Sequence, residues 1–268
     1  MIKKGARIYG LVLTIVTFII VYFPIFMIFL YSVNESKTTV FTNFSFKWYA
    51  ALLNDNDGLL KAIENTIIVA LLSTVISTIL GTFIAIGINS LERKKRVKMM
   101  LLNNIPVINP DIVTAVSISL VLMLLPISLG IQTVLIAHIF FSIPYVVLNI
   151  MPKLRKLDPN IYEAALDLGC TRFKAIEKVI IPAIKTGIIS GALMAFTMSI
   201  DDFVISYFTA GQEFVNVSMW VYSHTKKTPS PSVYAYNTLI IIIALAVLLY
   251  INFKKPKNKE EKAWKNYS

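Results

Sequence analysis

Residues 158–182 read DPNIYEAALDLGCTRFKAIEKVIIP, and the reading of the whole chain turns on this stretch. Asn160, Tyr162, Glu163 and two alanines, following Pro159, suit the start of a short helix. Gly169 suits its C-terminus in a left-handed conformation. Thr171 is placed to cap a second short helix through Phe173, Ile176 and Ile180, which Pro182 is expected to end. Two short helices at a sharp turn make a protruding knob, suited to docking into another protein. The plainer alternative is an amphipathic loop helix lying on a membrane surface.

What flanks this knob is apolar on both sides. The chain is 56% hydrophobic and only 15% charged, too apolar for an ordinary soluble domain. Its apolar residues fall in six runs, 8–31, 66–89, 100–125, 131–151, 186–208 and 232–253, none containing Lys or Arg. About 20 helical residues cross a hydrocarbon core, so six transmembrane helices are expected in an all-α membrane protein. The first run is 24 residues long and lacks a small-residue cleavage site, so it reads as a retained span rather than a signal peptide. The permease domain is expected over 1–253, with the cytoplasmic loop at 152–185 and a polar, disordered tail at 254–268.

Charge placement sets the orientation. Of the 26 Lys and Arg residues, 21 lie in segments that alternate on the side of both termini. The other five, Lys37, Lys47, Lys61, Lys226 and Lys227, lie opposite. By the positive-inside rule both termini are cytoplasmic, in the multi-pass membrane of a bacterial cell, inner or plasma. The net charge of +11 is thus a topology signal with some attraction to membrane lipid, and no nucleic-acid partner is needed. The outer loop 32–64 carries an aromatic piece, Phe44, Phe46, Trp48 and Tyr49, of interfacial character. A single cysteine, Cys170, excludes an internal disulfide. His138 and His224 lack metal-ligand spacing, so both read as structural and no metal site is expected.

In spacing, the central loop resembles the signature of permease subunits of binding-protein-dependent ABC importers: Glu-Ala-Ala, three residues, Gly, nine residues, Ile-x-Leu-Pro. Glu163, Ala164, Ala165, Gly169 and Pro182 match it, while Val179 and Ile181 stand where the family has Ile and Leu. The resemblance implies the type I importer permease fold and a loop that inserts into a groove of an ATPase subunit. It also implies that the chain is no enzyme. A phosphate-binding loop needs Gly-Lys-Ser/Thr, and none of the ten glycines precedes a lysine. ATP and Mg would then sit on a partner ATPase, with no cofactor in this chain.

Two further stretches, Asn109-Pro110-Asp111-Ile112-Val113 and Met198-Ser199-Ile200-Asp201-Asp202-Phe203-Val204, resemble the second permease subunit of spermidine/putrescine importers. That implies a second homologous permease chain, an ATPase homodimer and an extracytoplasmic polyamine-binding protein as partners. Physical reasoning converges on a cation. Asp111, Asp201 and Asp202 are costly inside a membrane, and no intramembrane base is expected to pair with them. A polycation path would use carboxylates for charge and aromatics such as Trp48 for cation–π contact. Each candidate has a plainer role: Asp111 as a first-turn carboxylate after Pro110, the Asp201–Asp202 pair bonded to a partner chain or protonated, Ser199 bonded to its own backbone, Trp48 as an interfacial anchor. In a continuous fifth helix, Asp201 and Asp202 would point about 100° apart, so at most one faces the path centrally. A permease for ferric iron or thiamine, and an ion-driven secondary transporter, remain alternatives.

Overall fold

The computed structural model describes residues 4–37, 40–54, 58–158, 160–226 and 230–254. The expectations for Pro159, Lys227 and the tail from residue 255 lie outside the described residues. Apart from one isolated bridge, Asn34 to Phe44, the regular structure among the described residues is helical. In chain order the helices are α1 (Lys4–Ser32), α2 (Lys47–Leu53), α3 (Leu59–Ser90), α4 (Arg93–Ile108), α5 (Asp111–Met123), α6 (Ile131–Leu154), α7 (Asn160–Asp167) and α8 (Arg172–Ala175). A π-turn (Ile176–Ile180) follows, then α9 (Ile181–Ala183), α10 (Lys185–Ile200), α11 (Val204–Thr209), α12 (Val217–Thr225) and α13 (Pro231–Lys254). Four helices, in α1, α3, α6 and α13, are long and apolar enough to cross a membrane, and the number rises to 6 if each of two bent pairs is one span.

The chain divides into two compact units. The first, Met1–Asp57 with Val221–Ser268, joins α1, α2 and α13. Tyr31 and Tyr234 meet there with ring centroids 5.5 Å apart. Past α1, Asn34 organises the loop: its Nδ2 donates to the Val40 carbonyl at 2.9 Å and its Oδ1 accepts from the Thr42 amide at 3.0 Å.

The second unit, Gly58–Trp220, is built on α3, α6 and α10. Lipid tails are as apolar as Leu, so helices in a membrane associate through close packing of small residues rather than through water exclusion. The sequence supplies those residues. A Cβ at Gly81 would sit 2.7 Å from Val146 Cγ1, and one at Gly191 would sit 3.2 Å from the Val146 Cα. Around this contact Ala85, Val147, Ile150, Ile184 and Ala195 are fully buried. Gly191→Leu is therefore expected to push α10 off α6, at about 1–3 kcal/mol of overpacking. A lowered unfolding midpoint of the purified protein checks this, against Gly10→Leu, where the added side chain meets open space.

Two expected helices are interrupted, one as anticipated and one not. Between α4 and α5 the chain bends by 102°, with Asn109 and Pro110 both extended, as a residue before proline and a proline outside a helix must be. The run 186–208, by contrast, is not one helix. α10 stops at Ile200, residues 201–203 are non-helical, and α11 restarts at Val204. The cause is Asp202, whose carboxylate accepts from the amides of Ile205 and Ser206 at 3.2 and 2.8 Å and so caps a new helix.

Pro182 also departs from expectation. It does not end its helix, which continues through α9 to a 74° bend at Ile184. Ahead of the proline the Ile181 amide reaches back to the Ile176 carbonyl, the wide π-type bond. That wider turn accommodates a residue that has no N–H to give and a ring that crowds the preceding turn.

Candidate functional site

Ser199 closes the last turn of α10, and beyond it Asp201 and Asp202 lie in the break before α11. Opposite them α6 presents His138, which is 3% exposed. Its Nδ1 lies 2.6 Å from Ser199 Oγ, and its Nε2 lies 3.0 Å from Ser206 Oγ and 3.3 Å from Asp202 Oδ2. An ionised carboxylate only accepts, so the proton between His138 and Asp202 sits on Nε2. On the Nδ1 side, Ser199 Oγ also accepts from Ser73 Oγ of α3 at 3.0 Å.

Asn216 closes the cluster from below α12. Its Nδ2 donates to the Asp202 carbonyl and to Ser206 Oγ, both at 2.9 Å, and its Oδ1 accepts from the Met219 amide at 2.9 Å. Ser73, His138, Ser199, Ser206 and Asn216 are all buried. Such a network is stable in an apolar surrounding because every member has a partner; one left unpaired would cost about 1–3 kcal/mol.

The two adjacent acids thus have different surroundings. Asp202, with a side chain 10% exposed, is bonded to two backbone amides and faces His138. Asp201 is exposed, and among the described residues its carboxylate has neither hydrogen bond nor ion pair; only its backbone carbonyl is used, by Ser218 Oγ at 3.2 Å. The expectation that no intramembrane base would meet these acids is corrected: His138 is that base, on the same chain. The two acids differ through a helix break rather than through helical periodicity.

Asp111 stands exposed as the first residue of α5, directly after the Pro110 break. It makes no bond with Asp201, although α5 and α11 pack directly and Ser119 Oγ donates to the Phe208 carbonyl at 2.7 Å. Trp48 belongs to the first unit. Its indole N–H donates to the Asn34 carbonyl at 2.8 Å, and the Lys47 ammonium lies 4.8 Å from its ring centroid. That is the arrangement of an anchor whose ring already holds a cation of its own chain.

The segment 160–182 forms its own turn. α7 ends in a Schellman arrangement: the Gly169 amide donates to Leu166 and the Cys170 amide to Ala165, at 2.9 and 3.1 Å, with Gly169 at φ +84°. Thr171 Oγ1 accepts from the Lys174 amide at 3.4 Å. Ala165 and Ala175 are buried beneath the turn. Glu163, Ala164 and Pro182 are exposed, and so are two large apolar side chains of the segment, Leu168 at 87% and Phe173 at 68%. From Ile184 onward α10 connects this segment directly to Ser199 and the acid pair. Its 16 residues span about 24 Å.

The description "binding-protein-dependent transport system inner membrane component" matches residues 77–254, the portion that contains both the segment 160–182 and the broken helices. The chain belongs to this family. It is a multi-pass membrane permease of the ABC importer type. It is 31% identical over 229 residues to the spermidine/putrescine transport system permease protein PotC of Escherichia coli strain K12, covering 85% of this chain and 86% of that protein. The PotC of Haemophilus influenzae is 33% identical over 246 residues, 91% of this chain and 95% of that protein. The putrescine transport system permease protein PotI of Escherichia coli strain K12 is 34% identical over 239 residues, with 86% and 85% covered. Among solved structures, a bacterial ABC transporter that imports alginate superposes with a TM-score of 0.68 over 96% of this chain and 99% of its own, at 17% identity. That likeness bears on the fold alone.

Proposed function

We propose that this chain forms one half of a polyamine translocation path in a bacterial cell membrane, paired with a second permease chain and driven by a separate ATPase homodimer. The observation that carries the reading is an exposed, unbonded acid at each of two helix breaks, Asp111 and Asp201, in a chain that resembles PotC and PotI over most of its length. Helix breaks inside a membrane leave backbone groups free to line a cavity, and exposed carboxylates there attract cations. Polyamine ammonium groups are separated by short alkyl chains, so acids at two positions serve one substrate in succession. Both sites must be weak, since a tight one would trap the cargo.

The ATPase end of this reading is the exposed segment 160–182. In this reading both termini and this segment are cytoplasmic, and an extracytoplasmic binding protein delivers the polyamine on the opposite side. Leu168 and Phe173 offer the apolar contacts and Glu163 the charge. A displacement there is carried by α10 as a rigid rod, because Gly187 and Gly191 hold it within van der Waals contact of α6. ATP and Mg belong to the ATPase.

Uptake in cells lacking this chain tests the reading, with labelled putrescine, spermidine, thiamine and ferric iron compared side by side. Polyamine uptake alone should fall, at least tenfold, and return when the gene is restored. Unchanged polyamine uptake with a loss of thiamine or iron uptake would replace polyamine by that substrate. Topology is checked separately: Cys170 should resist an impermeant thiol reagent applied to intact cells and react once the membrane is opened.

A further inference from the structure

We propose that His138 is a positioning residue for transport, a clamp that fixes the α10–α11 break so that Asp201 is held at the path. The proposal rests on the reading of Asp201 as a cation-facing acid. The break is a place where the chain has few bonds of its own: three residues between two helices, without a helical ladder. His138 spans it. Nδ1 engages Ser199 on the near side at 2.6 Å, while Nε2 engages Ser206 and Asp202 on the far side at 3.0 and 3.3 Å. One imidazole on α6 therefore ties the end of α10 to the start of α11.

The clamp also settles the division of labour between the acids. Asp202 is committed to His138 and to the amides of α11, which leaves the adjacent Asp201 as the unbonded charge. If the clamp opened, Ser199, Ser206 and Asp202 would each lose a buried partner, and the Asp201 backbone would lose its fixed neighbours on both sides. Asn216 holds the Asp202 carbonyl independently, so the break should loosen rather than unfold.

The test is a double-mutant comparison in the reconstituted complex. His138→Gln should lower the maximal rate of spermidine uptake about tenfold. In an Asp201→Asn background, the same change should lower it less than twofold further, because the residue it positions is already lost. Damage unrelated to Asp201 would instead multiply, a full tenfold again, and that outcome overturns the proposal. The second arm needs no substrate. In a Cys170→Ser background with Asp201→Cys, adding His138→Gln should change the rate of modification by a cationic thiol reagent at least fivefold, measured well below the unfolding midpoint of either variant. An unchanged rate also overturns the proposal. Should His138→Gln fail to reach the membrane, Asp202→Asn keeps an acceptor for one of the two amides, removes the charge facing His138, and enters the same comparisons. A wild-type complex that moves no polyamine would defeat the functional reading, while the labelling arm still decides the clamp.

Discussion

Replacing Asp111 and Asp201 together by Asn should lower ATP-driven spermidine uptake by roughly a hundredfold, at equal amounts of complex in the membrane. Contacts between charged groups in a partly dehydrated setting contribute about 1.5–3 kcal/mol each, so the loss of either acid alone should cost roughly tenfold or more. Neither carboxylate bonds elsewhere in the protein among the described residues, so their removal leaves no buried partner stranded. Asp202→Asn should behave differently. It weakens an internal pair with His138 and should lower the unfolding midpoint, which the Asp201 change should leave in place. Radiolabelled uptake read beside thermal unfolding separates the two residues. Equal transport by the Asp111→Asn/Asp201→Asn variant would remove the acids from the path.

The second large effect is expected at Gly169. Its φ of +84° is the left-handed region, where the Cβ of an L residue crowds the following carbonyl oxygen, and a β-branched residue there costs about 1–2 kcal/mol. Gly169→Val should tilt α8 and the π-turn relative to α7 and so move the exposed Phe173 relative to Leu168. Uptake should fall at least tenfold, with the chain still inserted in the membrane and recovered with less ATPase on purification. Gly169→Asn, which tolerates the left-handed conformation, should retain most of the activity. Transport at the normal rate by the Val variant would show that the segment does not couple to the ATPase.

Much of this architecture was legible in the chain because membranes impose strict rules. Apolar runs without Lys or Arg mark helices, and Pro110 and Gly169 marked a break and a turn that the structure contains. The local devices that deform helices were harder to read. Asp202 looked like one more residue of a helix, although a carboxylate three and four residues ahead of the Ile205 and Ser206 amides is the signature of a cap. The apolar character of 186–208 concealed it, since composition registers span length and not continuity. Pro182 looked like a helix stop because the π-turn that accommodates it has no composition of its own. Without metal-ligand spacing His138 reads only as structural, with no partner named. The informative signal was simpler: an imidazole in an apolar run must bond to something, and an acid in another run is what it meets. Ser73, Ser206 and Asn216 have no signal that separates them from ordinary polar residues of a membrane span; only the packing of α3, α6, α10 and α11, with the loop before α12, brings them together.

The most direct test of a permease that moves polyamine on another subunit's ATP is reconstitution. The chain would be placed in liposomes with its second permease and ATPase, ATP supplied on the ATPase side and loaded binding protein on the other, and labelled spermidine counted inside over time. Accumulation should require ATP, stop when the ATPase is omitted, and persist when proton and sodium gradients are collapsed. Spermidine uptake that runs on an ion gradient without ATP would contradict the account, because the exposed segment around Gly169 would then have nothing to couple.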